Sequence, residues 1–401
     1  MKRIKLKNGL RILSSQQKTK SIAIEVSVHV GSNDEKRSWR GISHFIEHML
    51  FEGTKTKTGL EIANSIEKLG GEFNAATSNE RTVFYIKILE KHFDIALDAL
   101  SDIIQNPKFD GKLMEKEKKV VLEEIKMVHD DPRYYQWVLF QKNLFKKHPT
   151  RNPVYGEEET VKNLSREDLL AFHQTYYVPN NMVISVAGDI KDKAVKIKRK
   201  FSGMRKERIL RSKKVSEPRQ TARKKVMEKR KLKHSYLVLG YKVGSRMKKD
   251  SYALDIIHAI LGRGQSGRLF SEIRTKRGLA YEVGVYHEAE SDYGIFAAYL
   301  STPKENITRA VNLIKKEFDK LKNISQEDVN DAKTYIEGLY SLDYEDSQKQ
   351  AELLAEWEFI SDAKEADRYL GKIKKVSVEE IRKTAKKYLT DKYTLALIRE
   401  E

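Results

Sequence analysis

Residues 41–53, which read GISHFIEHMLFEG, contain two histidines and a glutamate at a spacing that suits metal chemistry. Apolar residues recur at helical spacing between the two terminal glycines, and this pattern predicts a helix. Helical residues three and four apart share a face, so His44, Glu47 and His48 point to the same side. Two imidazoles one turn apart can bind one zinc ion, and a neighbouring carboxylate can act on water. The pattern is the inverted form of the HExxH motif. The alternative is a set of unrelated polar residues on the surface of an amphipathic helix.

A zinc site of this kind needs a third protein ligand, and residues 116–129, KEKKVVLEEIKMVH, offer several carboxylates. Glu117 and Glu124 are two helical turns apart and share a face. Glu123 points elsewhere, because adjacent helical residues do not share a face. Most glutamates on charged helices are solvated, so position alone does not select Glu124.

The segment HFIEHMLFEGT, followed by Glu124 within VVLEEIKM, resembles the pitrilysin family of zinc peptidases. The resemblance is closest to the processing-peptidase branch, which includes the mitochondrial presequence-processing enzyme, and it extends over essentially the whole chain. It implies that His44, His48 and Glu124 bind one zinc ion per chain and that Glu47 is the general base. It also implies that Glu117 is an acidic residue that orients a metal ligand.

The resemblance also implies a peptide-binding strand at FNAAT, beside the metal. A substrate would add to this strand at the sheet edge, with Asn74 and Ala75 nearest the scissile bond. Such β-augmentation holds a peptide in extended form through main-chain hydrogen bonds. From the residues alone, a paired internal strand is the expected interpretation, because edge position cannot be read from one sequence.

Arg274 and Tyr281 lie seven residues apart in the second half of the chain. By resemblance, they hold the substrate carbonyl and stabilise the oxyanion, a large term in acyl-transfer catalysis. Without the resemblance they would be a surface arginine and a strand tyrosine. Nearby, residues 262–267 match GxGxxG, but a predicted helix precedes them where a dinucleotide site requires a strand. We therefore reject nucleotide binding at this motif.

The two halves of the chain repeat each other. The segment that begins at Ser165 matches the one that begins at Ser377, with serine, glutamate and tyrosine each recurring at one offset. A predicted strand at 236–244 corresponds to the strand before the motif helix, and a predicted helix at 254–261 corresponds to the motif helix itself. In this second copy only His258 remains of the metal-binding set, and a lone histidine on an apolar helix is expected to be packed.

These patterns predict an α+β fold with two homologous domains from an internal duplication, each a largely antiparallel sheet packed with helices. The predicted boundaries are 1–204 for the zinc-binding catalytic domain, 205–225 for a basic linker and 226–401 for the domain that carries the arginine and tyrosine. One long helical region is expected at 325–360.

Composition limits the other classes of function. The chain has 401 residues, a net charge of +19 and no cysteine, which excludes disulfides and thiolate metal sites. Residues 205–233 hold fourteen Lys or Arg against three Asp or Glu. We interpret this block as a solvated linker, since it lacks the interleaved aromatic residues of a nucleic-acid site. No apolar run is long enough to span a membrane and no signal peptide is recognisable, so we expect a cytoplasmic protein.

The expected function is zinc-dependent hydrolysis of peptides or unstructured segments. Because one chain carries both the zinc motif and the arginine–tyrosine pair, we expect a homodimer in which each site is completed by the partner. A heterodimer with another chain is the alternative assembly. The alternative function is a non-catalytic assembly or chaperone-like subunit of the same fold. Basic presequence-like peptides and short unfolded peptides both stay open as substrates.

Overall fold

The computed structural model of the protein describes residues 1–209 and 215–401. These residues form two compact units, which are described separately. The first unit comprises Met1–Met127, residues 152–209 and Leu342–Ala366. The second comprises Val128–Arg151, residues 215–341 and Asp367–Glu401.

Each unit contains one β-sheet. The strands, in chain order, are β1 (Lys2–Lys5), β2 (Arg11–Gln16), β3 (Ser21–Val28), β4 (Glu72–Thr77), β5 (Thr82–Leu89), β6 (Met182–Gly188), β7 (Lys224–Arg230), β8 (Ser235–Val243), β9 (Glu282–Ala289), β10 (Gly294–Thr302) and β11 (Thr394–Glu400).

Helices cover the sheets and join their strands. They are α1 (Ile42–Phe51), α2 (Gly59–Glu67), α3 (Phe93–Gln105), α4 (Gly111–Asp130), α5 (Pro132–Leu144), α6 (Glu158–Asn163), α7 (Arg166–Tyr176), α8 (Lys193–Phe201), α9 (Asp250–Gly262), α10 (Ile307–Lys320), α11 (Gln326–Glu345), α12 (Ser347–Ile360), α13 (Lys364–Lys375) and α14 (Val378–Tyr388).

The two sheets have the same topology, which confirms the predicted duplication and the α+β class. The first sheet has the order β1-β2-β6-β3-β5-β4, and the second has the order β7-β11-β8-β10-β9. In both, the first strand of the repeat pairs in parallel with the last, and the other pairs are antiparallel. Without β1 the two orders correspond strand for strand. The matching serines that suggested the repeat, Ser165 and Ser377, each cap the helix before the last strand.

Each half of the chain contributes one helix to the other half's sheet. Helix α5 packs on β8 and β11, with Phe140 buried beside Ala297 and Ala396. Helix α12 packs on β3 and β6 in the first unit, where Ala23, Ala187 and Ala351 form a small buried cluster. Small side chains at these contacts let a helix approach a sheet closely.

This exchange makes the compact units differ from the contiguous domains 1–204 and 226–401 of the sequence analysis. Residues 128–151 belong to the second unit and residues 342–366 to the first. The apolar faces of α5 and α12 are buried by sheets that are distant in sequence, which a pattern within one segment cannot reveal. The predicted linker, 205–225, lies partly outside the described residues. Its described parts contain no helix or strand before β7 begins at Lys224.

The long helix predicted at 325–360 is wrong, because it is broken at Asp346. The Asp346 side chain accepts hydrogen bonds from the backbone N–H groups of Gln348 and Lys349 and begins α12 as a new helix. An aspartate at this position satisfies N–H groups that would otherwise lack partners. Asp131 plays the same part at the start of α5, where its carboxylate accepts from the Arg133 N–H.

A buried carboxyl group lies between β3 and α12. Glu25 is fully buried, accepts a hydrogen bond from the Ser27 hydroxyl at 2.6 Å and lies 3.2 Å from the Gln348 amide nitrogen. Burial raises the pKa of Glu25 to about 8, and the charge of Glu352 adds to the shift, whereas the Ser27 hydrogen bond opposes it. Glu25 is therefore protonated in the folded protein at neutral pH.

We expect Glu25→Gln to become more stable relative to the wild type as the pH rises. Between the ordinary carboxyl pKa and about 8, the folded wild type binds a proton that the unfolded chain has released, so its stability falls with increasing pH. Glutamine stays neutral, so the variant does not lose stability in this way. The difference in unfolding free energy between the two proteins should reach a few kcal/mol at most. Thermal unfolding of both proteins from pH 5 to pH 9 measures the difference. The exposed Glu67→Gln variant is the control, and a difference that does not grow with pH would contradict a buried neutral Glu25.

Candidate metal centre

Helix α1 presents its polar residues on one side of an otherwise buried helix. Ile42, Phe45, Ile46, Met49 and Leu50 are at most 1% exposed. His44, Glu47 and His48 are only half-buried. Burial of the apolar stripe therefore fixes the direction in which the polar residues point.

The start of α1 is held by the carboxyl group of the half-buried Glu35, whose pKa is raised to about 8 by desolvation. Glu35 accepts hydrogen bonds from the backbone N–H groups of Gly41 (2.8 Å) and Ser43 (2.9 Å). Gly41 has a positive φ of 92°, and a Cβ there would lie 2.7 Å from the Tyr155 carbonyl oxygen. Both features fix the first turn of the helix that carries the histidines.

Helix α4 supplies the carboxylates. Met114, Glu117, Val121 and Ile125 form its buried stripe, and Glu124 lies beside that stripe with its side chain 39% exposed. Glu123 is exposed and pairs with Lys126 at 2.7 Å, as its position on another face predicts.

The predicted ligands come together. Ligand atoms of His44, His48 and Glu124 lie within 4.8 Å of one another. Glu124 Oε2 is 3.8 Å from His44 Nε2 and 3.5 Å from His48 Nε2. Among the residues that the structure describes, this is the one such group of three or more potential ligands.

Glu117 lies behind the second histidine. Its Oε2 is 3.3 Å from His48 Nδ1, and its side chain is 10% exposed. A carboxylate accepts hydrogen bonds, so this contact places the proton on Nδ1 and leaves the Nε2 lone pair free to bind a metal. The orienting role implied for Glu117 stays a prediction.

The cluster suits zinc. Two imidazole nitrogens and one carboxylate oxygen are a donor set that zinc prefers, and three protein ligands leave a fourth position for reactants. Burial lowers the pKa of His44 to about 4, and the charge of His48 adds to the shift, so the ring is neutral, as ligation requires. His44 Nδ1 is buried without a hydrogen-bond partner among the described residues. The other ring nitrogen, Nε2, faces Glu124 and is the atom available to a metal.

Glu47 is anchored by a residue that the sequence analysis missed. The Thr77 hydroxyl donates a 2.5 Å hydrogen bond to Glu47 Oε2. Burial raises the pKa of Glu47, and this hydrogen bond opposes the shift because it stabilises the carboxylate. Thr77 ends β4, the strand expected to bind peptide. This position at the end of the strand was the sequence feature that could have indicated its contact with the metal-binding helix.

Strand β4 lies at the edge of its sheet, as the resemblance implied and contrary to the internal strand expected from the residues alone. Asn74 and Ala75 pair with Tyr85 and Phe84 of β5. The Ala75 N–H donates to Asn74 Oδ1 at 2.8 Å, so a local side chain and not a neighbouring strand satisfies it. Another strand could therefore pair with the exposed edge of β4 and extend the sheet.

Arg274 and Tyr281 are brought together within the second unit. The Arg274 guanidinium carbon lies 4.9 Å from the Tyr281 ring centre and 4.8 Å from that of Phe270. Arg274 belongs to a π-helical segment, Phe270–Thr275, and such segments are frequent at functional sites. Tyr281 is 79% exposed. Their catalytic parts stay predictions.

The second copy of the motif helix has no such cluster among the described residues. In α9, the half-buried His258 lies with Nε2 3.2 Å from the Val285 carbonyl oxygen of β9. The expectation of a packed histidine is confirmed.

Comparisons with known proteins agree with this arrangement. The family model described as Insulinase (Peptidase family M16) matches residues 11–158, and the model described as Peptidase M16 inactive domain matches residues 163–336. The Uncharacterized zinc protease YmxG of Bacillus subtilis is 33% identical over 99% of this chain and 98% of the relative. The Uncharacterized zinc protease ML0855 of Mycobacterium leprae is 31% identical over 99% of this chain and 91% of that protein.

Solved structures show the same fold. A protease from Helicobacter pylori has a TM-score of 0.94 at 25% identity and covers 99% of both chains. A peptidase M16 inactive domain from Pseudomonas fluorescens has a TM-score of 0.91 at 21% identity, over 100% of this chain and 98% of that one. The chain belongs to peptidase family M16, the pitrilysin family of zinc peptidases.

In the part of the chain that the structure describes, no helix is both long enough and apolar enough to cross a membrane.

We expect Thr77→Val to lower kcat for peptide cleavage without removing zinc. Valine has a similar shape and cannot donate to Glu47, so the base loses a hydrogen bond to a charged group, which is worth roughly tenfold in rate. Thr77→Ser keeps the hydroxyl and is the matched control. Steady-state kinetics with elemental analysis make the measurement, and an unchanged kcat in the valine variant would show that Thr77 does not position Glu47.

Proposed function

We propose that this protein is a zinc-dependent endopeptidase that cleaves peptides or unstructured segments. The observation that carries the proposal is the half-buried cluster of His44, His48 and Glu124 with Glu47 on the same face of α1. The names of the relatives support zinc and proteolysis as the general chemistry.

The chain's own residues have separate tasks in this proposal. His44, His48 and Glu124 would hold one zinc ion, with Glu117 fixing the tautomer of His48. When bound, zinc supplies Lewis acidity to water and to the scissile carbonyl. Glu47 removes the proton from the attacking water and delivers it to the leaving amine. Desolvation brings its pKa closer to the range that both steps need.

The substrate would bind in extended form along β4. An edge strand offers main-chain hydrogen bonds with little demand on side chains, which fits a broad range of peptides. Asn74 and Ala75 would lie nearest the scissile bond, with the Ala75 N–H changing its partner from Asn74 to the peptide. We also propose a cytoplasmic location.

Replacing Glu47 and His48 should separate catalysis from metal binding. Glu47→Gln keeps all three ligands, so we expect stoichiometric zinc with turnover reduced by about a thousandfold or more. His48→Ala removes a ligand, and zinc should be lost with activity. Elemental analysis and cleavage of a quenched unstructured peptide, before and after chelation, measure both.

The results also test the alternative function. Turnover near that of the wild type in Glu47→Gln would overturn the assignment of the base. A wild-type protein that binds no zinc and cleaves no peptide would favour the non-catalytic assembly role.

We further propose a homodimer in which Arg274 and Tyr281 of each chain complete the partner's site. The support is that one chain carries the metal-binding set and the arginine–tyrosine contact. The two residues would hold the substrate carbonyl as negative charge develops on its oxygen.

Mixing two inactive variants tests this assembly. Glu47→Gln and Arg274→Ala each impair every site of their own homodimers. A mixed dimer, however, would contain one site with both native residues. Random exchange should restore roughly a quarter of wild-type activity, because half of the dimers are mixed and each has one intact site. No recovery after verified subunit exchange, or an active monomer in light scattering, would contradict the proposal.

A further inference from the structure

A cavity of about 960 Å³ in the first unit is lined by five cationic side chains and one anionic side chain. The cations are Lys55, Lys108, Arg166, Arg205 and Arg208, and the anion is Glu207. Its size is that of small-molecule sites, and its charge is complementary to an anion. None of these residues belongs to the metal centre.

Most of this positive charge has no ion-pair partner among the residues that the structure describes. Lys55, Arg205 and Arg208 have no carboxylate within 4 Å among the described residues, whereas Lys108 pairs with Asp110 at 3.1 Å. Arg166 donates to the carbonyl oxygens of Phe109 (2.7 Å) and Lys108 (3.3 Å). These carbonyls orient its guanidinium but leave its full charge at the cavity wall.

The basic segment after α8 is tied to the first unit by two asparagine side chains. Asn8 donates to the carbonyl oxygens of Phe201 (2.9 Å) and Met204 (3.2 Å). Asn180 donates to the Glu207 carbonyl at 2.9 Å and accepts from the Glu207 N–H at 3.3 Å. These contacts hold Arg205 and Arg208 at the cavity. The start of the predicted linker is therefore part of a built surface.

The shape of the cavity favours a compact ligand over nucleic acid. Single strands bind through exposed aromatic rings on which bases stack. The aromatic rings in this lining are buried, with Phe109 1% and Tyr177 3% exposed. The five cations line one cavity of small-molecule size.

We propose that this cavity binds a small ligand that carries several adjacent phosphate groups, either a short inorganic polyphosphate or a nucleoside triphosphate. Arginine forks and lysine ammonium groups are the side chains that recognise phosphate oxygens. The site lies on residues outside the peptidase machinery, and its occupancy is independent of the proposed catalytic activity.

Calorimetric titration of the full-length protein with inorganic tripolyphosphate tests the proposal. We expect one site per chain, with affinity that falls as ionic strength rises. Arg205→Ala combined with Arg208→Ala should weaken binding by roughly tenfold or more, and Lys55→Ala by several fold. Lys68→Ala combined with Lys91→Ala is the matched control, because both lysines are exposed, do not line the cavity and remove the same charge.

The outcomes distinguish a site from general attraction. Equal affinity for tripolyphosphate and a nucleoside triphosphate would show that the cavity recognises phosphate groups alone. Tighter binding of the nucleotide would show that the cavity also contacts its base or sugar. Tripolyphosphate binding that persists in the Arg205/Arg208 variant, at the metal centre or elsewhere, would overturn the proposal. So would an equal loss in the Lys68/Lys91 control, or single-stranded DNA binding that tripolyphosphate does not displace. Thermal unfolding of each variant verifies that it is folded.

Discussion

Burial of one face on each of two helices creates the candidate metal centre. Helix α1 is fixed by apolar residues that are almost completely buried, and α4 is fixed by a stripe that includes Glu117. Once both stripes are packed, two histidines and Glu124 have converging ligand atoms. A site built on packed helices is held more firmly than one built on loops. The carboxyl group of Glu35 at the start of α1 and the hydroxyl of Thr77 beside Glu47 add hydrogen bonds to this frame.

The duplication shows which parts of the fold are independent of the chemistry. Both sheets share one strand order, and in both a helix from the other half of the chain covers a face. In the first copy, α1 follows β3 and carries the two histidines of the cluster. In the second copy, α9 carries apolar residues at most of its positions, and His258 lies against a strand carbonyl. The scaffold tolerates loss of the metal set because packing depends on the apolar stripe and not on the polar face.

The first unit contains both a cluster of exposed positive charges and a buried neutral carboxyl group. The net charge of +19 is concentrated in the segment after α8, and the described start of that segment forms the wall of a cavity. Two asparagines anchor this start through backbone groups, so the position of the charges does not depend on ion pairs. Within the same unit, the buried Glu25 is kept neutral where α12 covers the sheet, so the exchanged helix packs without a buried negative charge. Desolvation raises the pKa of this core carboxyl.

The sequence by itself determined the metal-binding face, because residues three and four apart on a helix must share a side whatever the helix packs against. It also determined the repeat and the class of fold, since periodicity and matching caps are local properties. Tertiary structure decided what depends on distant segments. Residue spacing alone did not separate Glu124 from the other glutamates of α4; the resemblance implied it, and its distance from both histidines is a tertiary contact. The Thr77 contact likewise needed β4 to lie beside α1. The exchange of α5 and α12, the break at Asp346 and the cavity at Arg205 likewise arise from contacts between residues far apart in sequence, which no local pattern specifies.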